Sequence, residues 1–139
     1  MNKSLPITAA VRGVAPLLQV YDMYRSLEFY CDFLGFEIAD KAGADFYPIW
    51  AMVELNGVQL MFEPIYTAIR RPAEPDPVRM RYHQDTVLYF DCPDVDALYA
   101  YFVSRRMELR APVITQYGFK AIYLMDPDGY KLVWHCPLS

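Results

Sequence analysis

A chain of 139 residues, 55% of them hydrophobic, is long enough to bury roughly two-thirds of its unfolded surface without disulfide or metal staples. Its net charge of -4 and pI near 5.1 exclude a basic stripe for phosphate counterions, and the local pairs Arg70-Arg71, Arg79-Arg81 and Arg105-Arg106 are interrupted by acidic residues and prolines, so no nucleic-acid partner is expected. Three cysteines (Cys31, Cys92, Cys136), with only Lys3 and a short run broken by Arg12 at the N-terminus, lead us to expect a cytoplasmic chain with reduced thiols, no secretory leader and no membrane partner.

In chain order, Ala15 to Tyr21 reads as a strand with Leu18 and Val20 on one face and Ala15, Leu17 and Gln19 on the other. Asp22 is an N-cap, and Leu27, Tyr30, Cys31 and Leu34 fall at amphipathic-helix spacing, with Gly35 ending the helix and Cys31 serving as a small buried hydrophobe. Phe36 to Ala39 is expected as a short strand and Lys41 to Asp45 as a turn. Two longer strands, Phe46 to Leu55 and Val58 to Glu63, flank the hairpin signal Asn56-Gly57.

Residues Ile65 to Thr86 contain Pro72, Pro75 and Pro77 with little periodicity and read as a connector without an element of its own, serving as a lid or as a contact with a second subunit. Val87 to Cys92 is the next strand. Pro93-Asp94 starts a helix whose apolar stripe is Val95, Leu98, Phe102 and Val103, and Val113-Ile114 is a short strand. The final hairpin, Phe119 to His135, turns at Asp126-Pro127-Asp128-Gly129, where proline presets φ, the aspartates bond the local backbone and glycine accepts φ > 0. Its core face is Ile122, Leu124, Leu132 and Trp134; its other face carries Ala121, Tyr123, Met125, Lys131, Val133 and His135.

These elements form an internal repeat. Asp22 matches Asp94, Leu27 matches Leu98, and Asn56-Gly57 matches Asp128-Gly129. The expected architecture is one α+β domain over 1–139: two β-α-β-β-β repeats, about 14–64 and 87–137, joined by the connector 65–86 and forming a curved mixed sheet around a shared cavity.

Leu18-Gln19-Val20-Tyr21-Asp22 leading into Arg25-Ser26-Leu27-Glu28-Phe29-Tyr30, then Leu34-Gly35-Phe36, Asp94-Val95-Asp96-Ala97-Leu98 and Asp126 to Leu132 together resemble the glyoxalase / bleomycin resistance protein / extradiol dioxygenase (vicinal oxygen chelate) superfamily. The resemblance implies two such modules, usually paired across a homodimer, and in the metalloenzymes a divalent cation held by four cavity-facing side chains. Those positions fall here on Ala15, on Met61 or Glu63, on Val87 and on Val133, so at most one carries a hard donor. The implied branch is therefore the metal-free, bleomycin-resistance-like one, with no cofactor.

The surplus of aromatic residues, 16% with twelve tyrosines, suits an aromatic-walled pocket or an interface. The strand register puts Gln19, Trp50, Met52, Met61, Glu63, Tyr89, Tyr123, Val133 and His135 on the cavity faces. The expected function is metal-independent binding of a small aromatic or cationic organic molecule, with Glu63 as the anionic partner and Tyr89 or His135 beside it. Two other readings remain: a lyase, isomerase or dioxygenase with Glu63 as acid/base or with His83, Glu63 and His135 as a replacement metal set, and an interaction module with a filled concavity.

Overall fold

The computed structural model describes residues 5–138; Lys3, used in reading the N-terminus, lies outside them. The chain forms two four-stranded mixed sheets and three helices. The first sheet has the order β1-β4-β3-β2, from β1 (Leu17–Val20), β2 (Glu37–Ala44), β3 (Tyr47–Leu55) and β4 (Val58–Pro64). The second repeats it as β5-β8-β7-β6, from β5 (Val87–Asp91), β6 (Val113–Ile114), β7 (Phe119–Met125) and β8 (Lys131–Pro137). In each, the first and last strands run parallel because a helix crosses between them, and the remaining pairs are antiparallel hairpins.

Alternation places most of the core as the sequence predicts, although Ala121 and Val133, expected on the other face, are buried as well. Leu18, Val20, Ala51, Val53, Leu60 and Phe62 of the first sheet, and Ile122, Leu132 and Trp134 of the second, are buried in one hydrophobic cluster. Helix α1 (Met23–Leu27) begins at Asp22, whose carboxylate accepts from Tyr24 N and Arg25 N. The helix then widens: Glu28–Phe33 is π-helical, with Leu34 N bonding Phe29 O at 3.1 Å, so the expected regular helix is only its first half. Tyr30 and Leu34 are still buried, whereas Cys31 is half-buried. Helix α3 (Val95–Ser104) buries Val95 and Phe102 but leaves Val103 exposed, because α3 turns only a narrow stripe to the core.

Two expectations are corrected. The expected short strand 36–39 and turn 41–45 are one strand, β2, which pairs with β3 throughout through register shifts at Ile38/Asp40 and Ala42/Gly43. Asp40, Lys41 and Gly43 look like turn residues because they sit in bulges, and Gly43 at φ +91 takes the backbone bend. All eight β2 residues are exposed, so no alternation marks this edge strand. The connector 65–86 contains helix α2 (Pro77–His83), capped by Asp76 accepting from Val78 N at 2.9 Å. Its Asp-Pro start is an ordinary helix signal that the neighbouring prolines obscure.

The modules are locked where the turn of the second meets the β1–α1 junction of the first. Asp126 Oδ1 accepts from Asp128 N and Tyr130 N within the turn, as expected, while Asp128 reaches across to accept from Tyr21 N at 2.7 Å. Helix α2 covers the outside of that turn: the His83 ring stacks on Tyr130 at 4.1 Å, and its Nδ1 lies 2.7 Å from Asp128 O, which requires the proton on Nδ1 because a carbonyl only accepts.

Candidate functional site

The ladders arrange the non-core face of each sheet in rows. On the first sheet Gln19 lies opposite Glu63, and one further step of the β3–β4 ladder sets Trp50 on the other side of Glu63. The next row is Leu17, Met61 and Met52. On the second sheet one row is Tyr89, Val133 and Tyr123, and the next is Asp91, His135 and Ala121. Five predicted residues thus share one face and four share the other, as the period-two reading requires.

The two parallel ladders also resolve the alternative between Met61 and Glu63. Leu17 pairs with Met61 as Tyr89 pairs with Val133, and Gln19 pairs with Glu63 as Asp91 pairs with His135. Met61 is therefore the structural counterpart of Val133, and Glu63 that of His135. The four-position ring becomes Ala15, Met61, Val87 and Val133, whose only lone-pair donor is a soft thioether, and this set does not fit a hard divalent cation. Nor do His83, Glu63 and His135 converge: His83 is held at the turn by Asp128 and Tyr130, Glu63 lies beside Gln19, and the His135 ring packs edge-on against Tyr89 at 5.5 Å and against Phe119 at 5.3 Å. Among the described residues no group of three or more His, Cys, Asp or Glu side chains is placed to hold a metal ion.

Within one chain the two faces line separate grooves. Glu63 borders a groove of about 440 Å³ walled by Phe46, Tyr47, Ile49 and residues 64–69. Tyr89, Tyr123 and Val133 border another of about 430 Å³, together with Val87, Leu124, Met125 and Lys131. A third, of about 510 Å³, runs between the modules along Val58 to Leu60 and Val87 to Asp91 and includes Tyr89. Glu63 takes Gln19 Nε2 at 3.5 Å, and no hydrogen bond joins it to the expected partners Tyr89 and His135. Arg79 of α2 donates from its terminal nitrogen to Gln19 Oε1 at 3.1 Å, so the amide is oriented with its NH₂ toward Glu63.

Sequence reasoning missed Phe46, Ile49, Arg79 and the start of the connector as site residues. Ile49 is 62% exposed although Tyr47, Ala51 and Val53 are buried, because it is left unpaired at the register shift Ala42/Gly43, and Phe46, just before β3, is 69% exposed. The connector lines the Glu63 groove with Ile65 to Ile69 and is tied down by Arg71, whose guanidinium pairs with Asp22 at 3.3 Å and lies over the rings of Tyr21 and Tyr47. Apart from the Cys31 thiol, which burial pushes up to about 11, the strongly shifted ionisable groups lie elsewhere, at the module junction. Burial pushes the Asp126 carboxyl up to about 6 and raises Asp128, and burial followed by the Asp126 charge raises Tyr30.

Comparison with known proteins follows from this geometry. A family model described as Glyoxalase/Bleomycin resistance protein/Dioxygenase superfamily matches residues 12–133. Among solved structures the chain is similar to a bleomycin resistance determinant encoded on the transposon Tn5, with 19% identity, 93% of this chain and 100% of that chain covered and a TM-score of 0.69. It is similar to the bleomycin-binding protein of bleomycin-producing Streptomyces verticillus, complexed with copper(II)-bleomycin, with 18% identity, coverage of 91% and 97% and a TM-score of 0.65. A protein of unknown function from Agrobacterium tumefaciens is 25% identical, with coverage of 94% and 97% and a TM-score of 0.64. No curated protein matches the sequence. No helix among the described residues is long and apolar enough to cross a membrane.

Proposed function

The chain belongs to the glyoxalase/bleomycin resistance protein/dioxygenase superfamily, and on that premise we propose that it is a single-domain, cytoplasmic protein that binds a small aromatic or cationic organic molecule without a metal. The observation that carries this reading is the composition of the two open sheet faces. Apolar side chains stand at the ring positions, aromatic ones wall the grooves, and one carboxylate, Glu63, borders an apolar groove. Such a surface offers π faces and a single anionic anchor, which suits a planar or cationic guest.

The same faces support a homodimer. Phe46 and Ile49 by the first groove, and Tyr89, Tyr123 and Met125 by the second, are exposed in one chain. A second copy that sets the first sheet of one chain against the second sheet of the other joins Glu63 to the tyrosine row and excludes water from both. The complete binding site in this reading belongs to the dimer.

The test is a titration of the protein with metal-free bleomycin and a panel of aromatic cations, following tryptophan emission. Trp50 is half-exposed beside Glu63 and responds, whereas Trp134 is buried in the core and serves as the constant background. Saturable quenching that is absent in Trp50→Phe supports the reading; no response across the panel rejects it.

A further inference from the structure

Two cysteines, Cys92 and Cys136, follow the last paired residues of neighbouring strands in the second sheet. β5 and β8 run parallel with Asp91 opposite His135. Cys92 N donates to His135 O at 3.0 Å, which closes that last pair, and Cys92 and Cys136 are the next residues along the two strands. Opposed residues of neighbouring strands turn their side chains to the same face, and both cysteines pack at the margin of the core, partly exposed and unbridged. The Cys92 thiol lies 3.6 Å from Asp94 O, at the cap of α3. Neighbouring strands stand about 4.8 Å apart, within the range of about 4.4–6.8 Å between Cα atoms that a disulfide spans.

We propose that Cys92 and Cys136 form a reversible intramolecular disulfide when the protein meets a low-molecular-weight disulfide such as oxidised glutathione. The Cys136 thiolate attacks one sulfur of the oxidant, the oxidant's S–S bond breaks, and one glutathione thiolate leaves and takes up a proton. Cys92 then gives up its proton and attacks Cys136 Sγ in the mixed disulfide, expelling the second glutathione. Two protein thiols are oxidised and one glutathione disulfide is reduced to two thiols. Burial raises the Cys92 thiol, which places it in the second, intramolecular step, where its proximity to the mixed disulfide drives the attack.

The bond joins the start of α3 to the end of β8 and encloses α3, β6 and β7 in one covalent ring, so it restrains the unfolded chain. Both residues sit at strand ends, where the backbone can give by the small amount that closure needs. Direct opposition in a ladder is near the limit of relaxed disulfide geometry, which makes the bond easy to reduce and suits a reversible modification. Cys31 has no cysteine opposite it in any ladder and acts as the internal control.

The test uses the full chain incubated with oxidised glutathione, with free thiols trapped by iodoacetamide, followed by intact mass and non-reducing peptide mapping. The expected result is a chain lighter by two hydrogens, a linked Cys92–Cys136 peptide, an alkylated Cys31, reversal by dithiothreitol, and an unfolding midpoint raised by about 5 °C. Cys92→Ser is expected to stop at a glutathione adduct on Cys136. Unmodified thiols, lasting glutathione adducts on the wild-type pair without ring closure, or a bridge that uses Cys31 each overturn the proposal, and the wild-type result decides the matter even if the variant folds poorly.

Discussion

The Tyr30 hydroxyl donates to Asp126 Oδ2 at 2.7 Å, joining the π-helical segment of the first module to the turn of the second. Both groups are buried, at 0% and 4% exposure, so this bond crosses the core where the two repeats meet. Its chemistry makes the junction sensitive to pH.

Burial lifts the Asp126 carboxyl from 3.8 to about 6, against the Tyr30 and backbone hydrogen bonds that pull it down. The native chain therefore holds a proton that the unfolded chain has released between these two values. The stability this adds is complete below about pH 4 and is lost as pH rises through about 6, about 3 kcal/mol in all. Asp128 shifts in the same direction. We expect Asp126→Asn to gain stability relative to wild type as pH rises from 5 to 7.5 in urea unfolding; parallel pH curves for the two proteins would refute the shift.

Tyr30→Phe removes the donor and leaves the carboxylate oxygen unpaired in the core. A loss of about 2 kcal/mol at neutral pH is expected. Because that hydroxyl favours the ionised carboxylate, its removal raises Asp126 further and steepens the dependence on pH. Urea melts of the variant at pH 5 and pH 7.5 check both effects.

Gly129→Ala tests the seating of α2. Gly129 has φ +90, and a Cβ there falls 2.4 Å from Met80 O, a backbone atom of α2. Gly57, its counterpart in the first repeat, has φ +84 and open space around it. The expected costs are about 1 kcal/mol for Gly57→Ala and about 3 kcal/mol or more for Gly129→Ala. Faster hydrogen exchange across residues 77–83 in Gly129→Ala alone would mark the displaced helix.

Glu63→Gln separates charge from shape at the proposed anchor. A cationic aromatic probe is expected to bind about tenfold more weakly, while a neutral probe of the same outline is unaffected. Equal losses for both, measured by titration calorimetry, would assign Glu63 a structural role.

Much of the fold was legible in the sequence because its signals are local. Asn56-Gly57 and Asp126-Pro127-Asp128-Gly129 demand particular backbone angles, Asp22 and Asp94 cap their helices, and alternation along β4 and the second half of β3 separates core from open face. The misses have equally specific causes. β2 carries turn-type residues in bulges and buries none of them, so neither composition nor periodicity marks it. The π-helical widening at Glu28–Phe33 keeps Tyr30 and Leu34 buried, and so leaves nearly the same apolar stripe as a regular helix.

The sequence by itself determined the repeat, the strand faces and the lack of hard donors at three ring positions, since each depends only on residue type and a period of two. Tertiary structure settled the choice of Met61 over Glu63 as the counterpart of Val133, because the ladders pair Leu17 with Met61 as they pair Tyr89 with Val133, in agreement with the spacing of the repeat. It also decided that Glu63 and the Tyr89–Val133–Tyr123 row line different grooves in one chain, and that Cys92 and Cys136 come at the ends of neighbouring strands. Which side chains lie within a few ångströms of each other is set by how the packed elements exclude water together, and that information resides in no single stretch of the chain.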